Sequence, residues 1–583
     1  MYLAPPEVIG SRRGNVLLIV IVLLGISMLM VSGLSKYAAT GSKLNQRNND
    51  YYGAVAASEA ATEKVLGQIF WDYKQDGQGY VMQKLSTYRR SIPISSEAAQ
   101  WANYSFFDLS GRSRRVEVDY TQSATFQPLG GAYGQLKAFK DNVRVLSVAQ
   151  ANKSLDGLTA SVYQDLELTR IPIFQYAMFY NILMEVTPLP AMVITGPVHA
   201  NADIYLNPSS TLNFVNDLTS AGTIHESYNP ASPLAYPAGG TISYGGKHDS
   251  GTSTLSLPIG TNNSPAAVQQ VIQVPPAAEN ASSSLGQQRY YNKADLIIMI
   301  SNTTYSARSG LWDSFAISLP TNDVFAFVST NVSFYNKREG KTVQTTQIDV
   351  AKLVQYNLTN TLLRPYLPVG DIRTIFVADF RTTNSSTEPG IRLINGSNLP
   401  PQGLTIATPD PLYIWGDYNV GAGGRGTTNT VNSKPASIAA DAVTILSTVW
   451  SDANSSRSLS SRIAADTTVN AAFLTGIVAT TGSSDSGGVE NYPRFLEDWS
   501  ATPSTLTYNG SMVAMFYSAI ANGLWKGIGS TYDIYNPPIR KWSLDQNFQY
   551  GDKLPPATPS LTVLVRSKWR TPAAYTTNIM AGF

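Results

Sequence analysis

"SRRGNVLLIVIVLLGISMLMVSGLSKYAATGSKLNQ", Ser11 to Gln46, decides how the rest of the chain is read. From Asn15 to Leu34 no residue is charged. About 20 such residues make about 30 Å of helix, the thickness of a bilayer core. Arg12 and Arg13 precede the run, so the N-terminus is expected to stay cytoplasmic and the rest of the chain to cross. A secretory signal peptide has a shorter apolar core followed closely by a small-residue cleavage site. This run is too long for that, and an uncleaved span is expected.

Helical character continues past Lys36. Val55, Thr62, Leu66, Ile69 and Tyr73 recur at helical spacing, and "AVAASEAATEKVL" favours helix by propensity. Gly41 and Gly53 predict a kink or local melting between the two halves. The expectation is one rod over residues 15–75, lipid-soluble at first and amphipathic afterwards, behind a basic leader at 1–14.

"RRGNVLLIVIVLLGISMLMVSGL" followed by "YYGAVAASEAATEKVLGQI" resembles the N-terminus of type IV pilin-like proteins, closest to X-type minor pilins and K-type pseudopilins. The resemblance covers about the first tenth of the chain. It implies that a prepilin peptidase cuts after Gly14 and makes Asn15 the new N-terminus, and it sets Glu59 at the family's Ala-rich Glu position. Major pilins carry Glu at the fifth mature position, where this chain has Ile19. That departure matches the K-type pattern and implies a low-copy tip or priming subunit. The implied partners are inner-membrane lipid, other pilins or pseudopilins and the peptidase, with the head exported and displayed at a cell surface. A plain membrane anchor with an Ala-rich stalk is the simpler alternative.

Composition narrows the chemistry. Charged residues make up 14% of 583, net charge is +2, and there is no Cys. An ordinary soluble domain has about 25% charged residues. No nucleic-acid partner is expected, and disulfides, Cys-ligated zinc and thiol catalysis are excluded. Tyr, Asn, Thr and Gly in place of charge suggest an exported β-rich protein.

"RRVEVDY", "VRVLSVAQ" and "TASVYQDLELTRIPI" alternate as strands do, giving a small mixed α/β stalk region at 76–186. Phe174 to Val186 suits a short buried helix or a strand equally. From residue 187 to 583, short apolar runs such as "AMVITGPVHANADIYL" and "ASIAADAVTILS" are broken by Gly, Asn or Pro. Such runs read as rungs of a β-solenoid, a parallel β-helix, with β-sandwich domains as the alternative. Residues 207–290, rich in Gly, Ser and Pro, are expected to be a loop-like exposed insertion, and "IDVAKLVQY" a helix.

Candidate chemistry is sparse. Gly421 to Gly426 spells G-x-G-x-x-G, but the next residues, "TTNTVNSKP", start no helix, so a glycine turn is expected instead of a phosphate cradle. His199, Asn201 and Asp203 would share one strand face, as a polar ladder or a cation or sugar site. His225 completes the histidines with His248, expected to stand alone in its loop. Asp72 to Gly79 has a faint calcium-loop flavour without EF-hand spacing. Asp485, Glu490, Glu497 and Asp498 near Arg494 would serve a polysaccharide-cleaving groove only if brought together; a capping turn with a surface ion pair is the plainer reading. The Tyr and Trp of "LWKGIGSTYDIYNPPIRKW" suit core packing or, if exposed, glycan and protein contacts.

The expected function is therefore a structural one without a cofactor: a minor-pilin-like subunit that displays a β-rich head for tip assembly or adhesion to surface glycans or cell proteins. The alternatives are an anchored enzyme acting on polysaccharide and a passive surface scaffold.

Overall fold

A computed structural model describes residues 15–154, 157–234, 237–310, 316–367 and 369–571. One long N-terminal helix is followed by a β-rich region built from several sheets.

Helix α1 runs from Asn15 to Gln83, 69 residues, or about 100 Å. It is longer than the expected rod, and helical geometry persists through Gly41 and Gly53. A helical glycine costs only about 1 kcal/mol relative to Ala, too little to break so long a ladder. At Gly53 the missing side chain also admits Tyr104, whose hydroxyl lies 2.8 Å from where a Cβ would stand. The break falls instead at Gly77 (φ 78°, ψ −172°). There the head grips the helix end: the Gly260 N–H donates to the Gln75 carbonyl at 2.7 Å, and Ser284 Oγ donates to Asp76.

From Ala54 onward α1 buries one stripe, Ala57, Ala61, Val65, Ile69, Tyr73 and Val81, spaced about one helical turn apart. The stripe lies on an antiparallel sheet of β1 (Tyr104–Phe107), β2 (Glu117–Pro128), β3 (Lys137–Ala151), β4 (Thr159–Pro172) and the final strand Ser560–Arg570. Val116, Val118, Val143, Val145, Leu166 and Leu168 complete this small core. The three alternating stretches read as strands become β2, β3 and β4. The final strand pairs antiparallel with β4, so residues 173–559 are inserted between two neighbouring strands of one sheet.

Within the insertion most pairing is parallel. Met178–Tyr180, Val198–Ala200 and Leu218–Ser220 stack in register, with Met178, Val198 and Leu218 aligned at steps of 20 residues. Two other ladders keep the same step, Met184 to Ile204 to Ile224 and Met192 to Leu212. The next step is 30 residues, to His248 and Ile242. The ten extra residues fall in the Gly/Ser/Pro-rich stretch. Residues 207–290, expected as a loop-like insertion, thus contain, among the described residues, five short strands, Thr211–Phe214 to His248–Asp249, and three short helices. Phe174 to Val186 divides into a 3-10 turn (Ile173–Gln175) and two three-residue strands, so neither single-element reading fits.

The chain then crosses to the far end and returns through Leu296–Ile300, Thr374–Asp379, Leu404–Ala407, Ala436–Ala440, Ala472–Ile477 and Met512–Tyr517, each parallel to the next. Met512 finally lies beside Met178, joining both series into one sheet. Buried amides line one corner: Asn509 Nδ2 donates to Asn470 Oδ1 at 2.8 Å, and Asn470 Nδ2 donates to the Asn419 carbonyl at 3.0 Å. "IDVAKLVQY" gives a helix, Val350–Thr359, capped by Asp349.

Candidate functional site

The most exposed apolar surface is the first half of α1. Leu17, Leu24 and Leu29 are 67%, 58% and 75% exposed. Mean hydropathy reaches 2.8 over an 18-residue window that is buried against no other described residue. Among the described residues this helix is long and apolar enough, by length and composition, to cross a membrane. A helix apolar on all sides is stable only where something covers it. Each uncovered Val, Leu or Ile forgoes about 1.5–3 kcal/mol. Ile19 stands within this surface, 56% exposed. Asn15 opens the helix, and Gly14 lies outside the described residues.

The polar residues marked in the sequence fall into separate networks. His199 is buried, its Nδ1 2.8 Å from Thr219 Oγ1 and its Nε2 3.1 Å from Asn201 Oδ1. Burial holds its pKa down at about 4, so it is neutral. Asp203 turns away and meets His225 Nε2 at 3.2 Å. The structure thus unites two of the three in a polar ladder. His248 does not stand alone: its ring stacks on Tyr244 at 4.4 Å. Asp72 accepts from the Tyr88 hydroxyl at 2.7 Å and, with Asp76, lies on α1, not on a calcium-type loop. Among the described residues no group of three or more His, Asp or Glu is arranged to hold a metal ion. Gly421, Gly423 and Gly426 all have positive φ and form turns that open no helix.

The five charged residues between 485 and 498 also part. Arg494 forms a buried ion pair with Glu339 at 2.9 Å, not a surface one. Glu497 accepts from Ser447 N and Oγ, both at 2.6 Å, and burial pushes it up to about 7. Asp498 caps a turn at Ser500 and Ala501. Asp485 accepts from Ser232 Oγ and Gly487 N. Glu490 Oε1 accepts from Thr187 N at 2.9 Å, and Glu490 lines a cleft of about 400 Å³. Sequence reasoning missed Glu185, whose carboxylate accepts from Thr480, Ser486 and Asn229 and so ties loop 479–491 to the first stack. Its only signal was a lone acid inside an apolar run.

No family model matches the sequence, and no curated protein matches it. Among solved structures, the competence-associated pilin ComZ from Thermus thermophilus is similar at 10% identity and a TM-score of 0.27, over 90% of this chain and 97% of that one. A likeness that low carries no argument, so the functional reading rests on the chain's own geometry.

Proposed function

We propose that this chain is a pilin-like structural subunit of the minor-pilin or pseudopilin type. Its bare helical half is held first in the inner membrane, with the N-terminus cytoplasmic, and afterwards among the helices of other pilins. The head is exported and displayed for tip assembly or adhesion, and the chain is not an enzyme. The observation that carries this reading is the division of α1: uncovered and apolar from Asn15 to Leu34, and packed on a sheet from Ala54 onward. The 20-residue parallel steps and the ladders on separate faces support reading the head as a β-solenoid. A polysaccharide-cleaving enzyme would need a second carboxylate facing Glu490, and among the described residues that line its cleft Glu490 is the one acid. Mass spectrometry of the N-terminus, on protein recovered from membranes and from sheared surface fractions, tests the proposal. A mature chain beginning at Asn15 is expected; an intact Met1 in the surface fraction contradicts it.

A further inference from the structure

The cleft beside Glu490 forms where the two series of stacked strands meet. One wall comes from residues 524–538, with Trp525, Tyr532, Pro537 and Pro538. Gly527 makes this wall possible: its φ is +117°, and the Tyr532 ring lies where a side chain would sit. Glu490 and Arg540 line the same cleft, and Arg540 Nη2 donates to the Glu490 carbonyl at 2.8 Å. A second cleft of about 470 Å³ shares Pro190, Pro537, Pro538 and Arg540 with the first and continues to Trp499 and Trp542. Together they form an elongated groove, each half of a size that small-molecule sites have.

Four polar atoms around this groove are buried without a hydrogen-bond partner: Glu490 Oε2, Arg540 Nε, Trp499 Nε1 and Trp542 Nε1. One is an acceptor and three are donors, which matches a ligand whose groups both donate and accept. Tyr532 is 44% exposed. Trp525 donates its Nε1–H to Tyr535 Oη at 3.1 Å, so that N–H is already engaged. Trp525 thus offers its ring face, which suits the C–H face of a pyranose, and the Glu490 carboxylate and Arg540 guanidinium suit its hydroxyls. The unpartnered N–H groups of Trp499 and Trp542 also suit peptide carbonyls, so a proline-rich peptide is an arm of the test.

We propose that this groove binds a short linear oligosaccharide, its ring faces on Trp525 and Tyr532 and its hydroxyls on Glu490 and Arg540. Burial pushes Glu490 up to about 7, which lets it either donate to or accept from a hydroxyl near neutrality. The proposal deepens the display role of the head and rests on that role only for its biological use. Binding itself does not depend on assembly, so a head that binds no sugar leaves the reading of the helix standing.

The test is calorimetric titration of the full chain, in a detergent without a sugar headgroup, with chitotriose, cellotriose, trigalacturonate and a proline decapeptide. At least one trisaccharide is expected to bind, and Tyr532→Ala and Glu490→Gln are each expected to weaken it about tenfold or more. The uronate arm distinguishes an acidic from a neutral glycan. Tyr532→Ala changes a half-exposed ring, so an unchanged denaturation midpoint verifies its fold should Glu490→Gln misfold. Absence of sugar binding at millimolar concentration, equal binding in the variants, or binding of the proline peptide alone would overturn the proposal.

Discussion

The backbone N–H of Ile173 donates to the Pro559 carbonyl at 3.0 Å. The chain therefore enters and leaves its large head at one hydrogen-bonded point, directly above the sheet that covers α1. Beyond that point Leu561 lies beside Ile171 and Leu564 beside Leu168. The last described strand thus completes a unit whose other parts lie before residue 173.

This closure makes the C-terminal strand a determinant of the N-terminal fold. Leu561 is fully buried. Leu561→Ala is expected to cost about 2–5 kcal/mol, read as a lower denaturant midpoint. It should also speed proteolysis within residues 54–172, far away in sequence. Unchanged protection there would refute the coupling.

Ser58 acts between two strands. Its Oγ accepts from the Val162 N–H at 3.0 Å and donates to the Ser147 carbonyl at 2.7 Å. Ser147 and Val162 are cross-strand partners in β3 and β4, so one helix hydroxyl satisfies both. Ser58→Ala leaves a buried donor and acceptor unpaired, at an expected cost of about 1–3 kcal/mol. Amide exchange at Val162 should accelerate more than at neighbouring positions.

The head contains carboxyls that burial keeps protonated. Asp410 is pushed up to about 8, mainly by desolvation and further by Asp379 and Asp441; Glu388 and Glu497 are pushed up to about 7. Unfolded, these groups release their protons near pH 4. Between there and the raised values the folded chain holds protons that the unfolded chain does not, so stability falls as pH rises. Thermal scans should show a lower midpoint near about pH 8.5 than near about pH 5.5. Asp410→Asn keeps an acceptor for the Asp379 N–H, which now donates to Asp410 Oδ2 at 2.9 Å. It should flatten this slope by an amount on the order of a few kcal/mol at the alkaline end. A midpoint that rises with pH would contradict the assignment.

Much of the rod was legible because period and hydropathy are local: Leu66, Ile69 and Tyr73 announce the buried stripe directly. The placement of the break was not legible, since Gly77 bends where residues 260 and 284 hold the helix end, contacts from far along the chain. The 20-residue step is obscured in the sequence because its strands are only three residues long and the third turn carries ten extra residues. In the return series the steps between Ile375, Ile406, Ile438, Phe473 and Met512 range from 31 to 39 residues. Acids adjacent in sequence, Glu497 and Asp498, fall into different networks, Glu497 at Ser447 and Asp498 at the turn of Ser500 and Ala501, because the partners of Glu497 come from 50 residues earlier in the chain. The groove at Glu490 joins residues from both series, and no window of sequence contains it.

The central claim is that the bare half of α1 both holds the chain in lipid and fits it among other helices. Exchanging residues 15–50 for an unrelated apolar helix of equal length tests it most directly, with the chain followed in membrane and sheared-filament fractions. The exchanged chain is expected in the membrane at native level and absent from filaments. Its recovery in filaments at the native level would contradict the account.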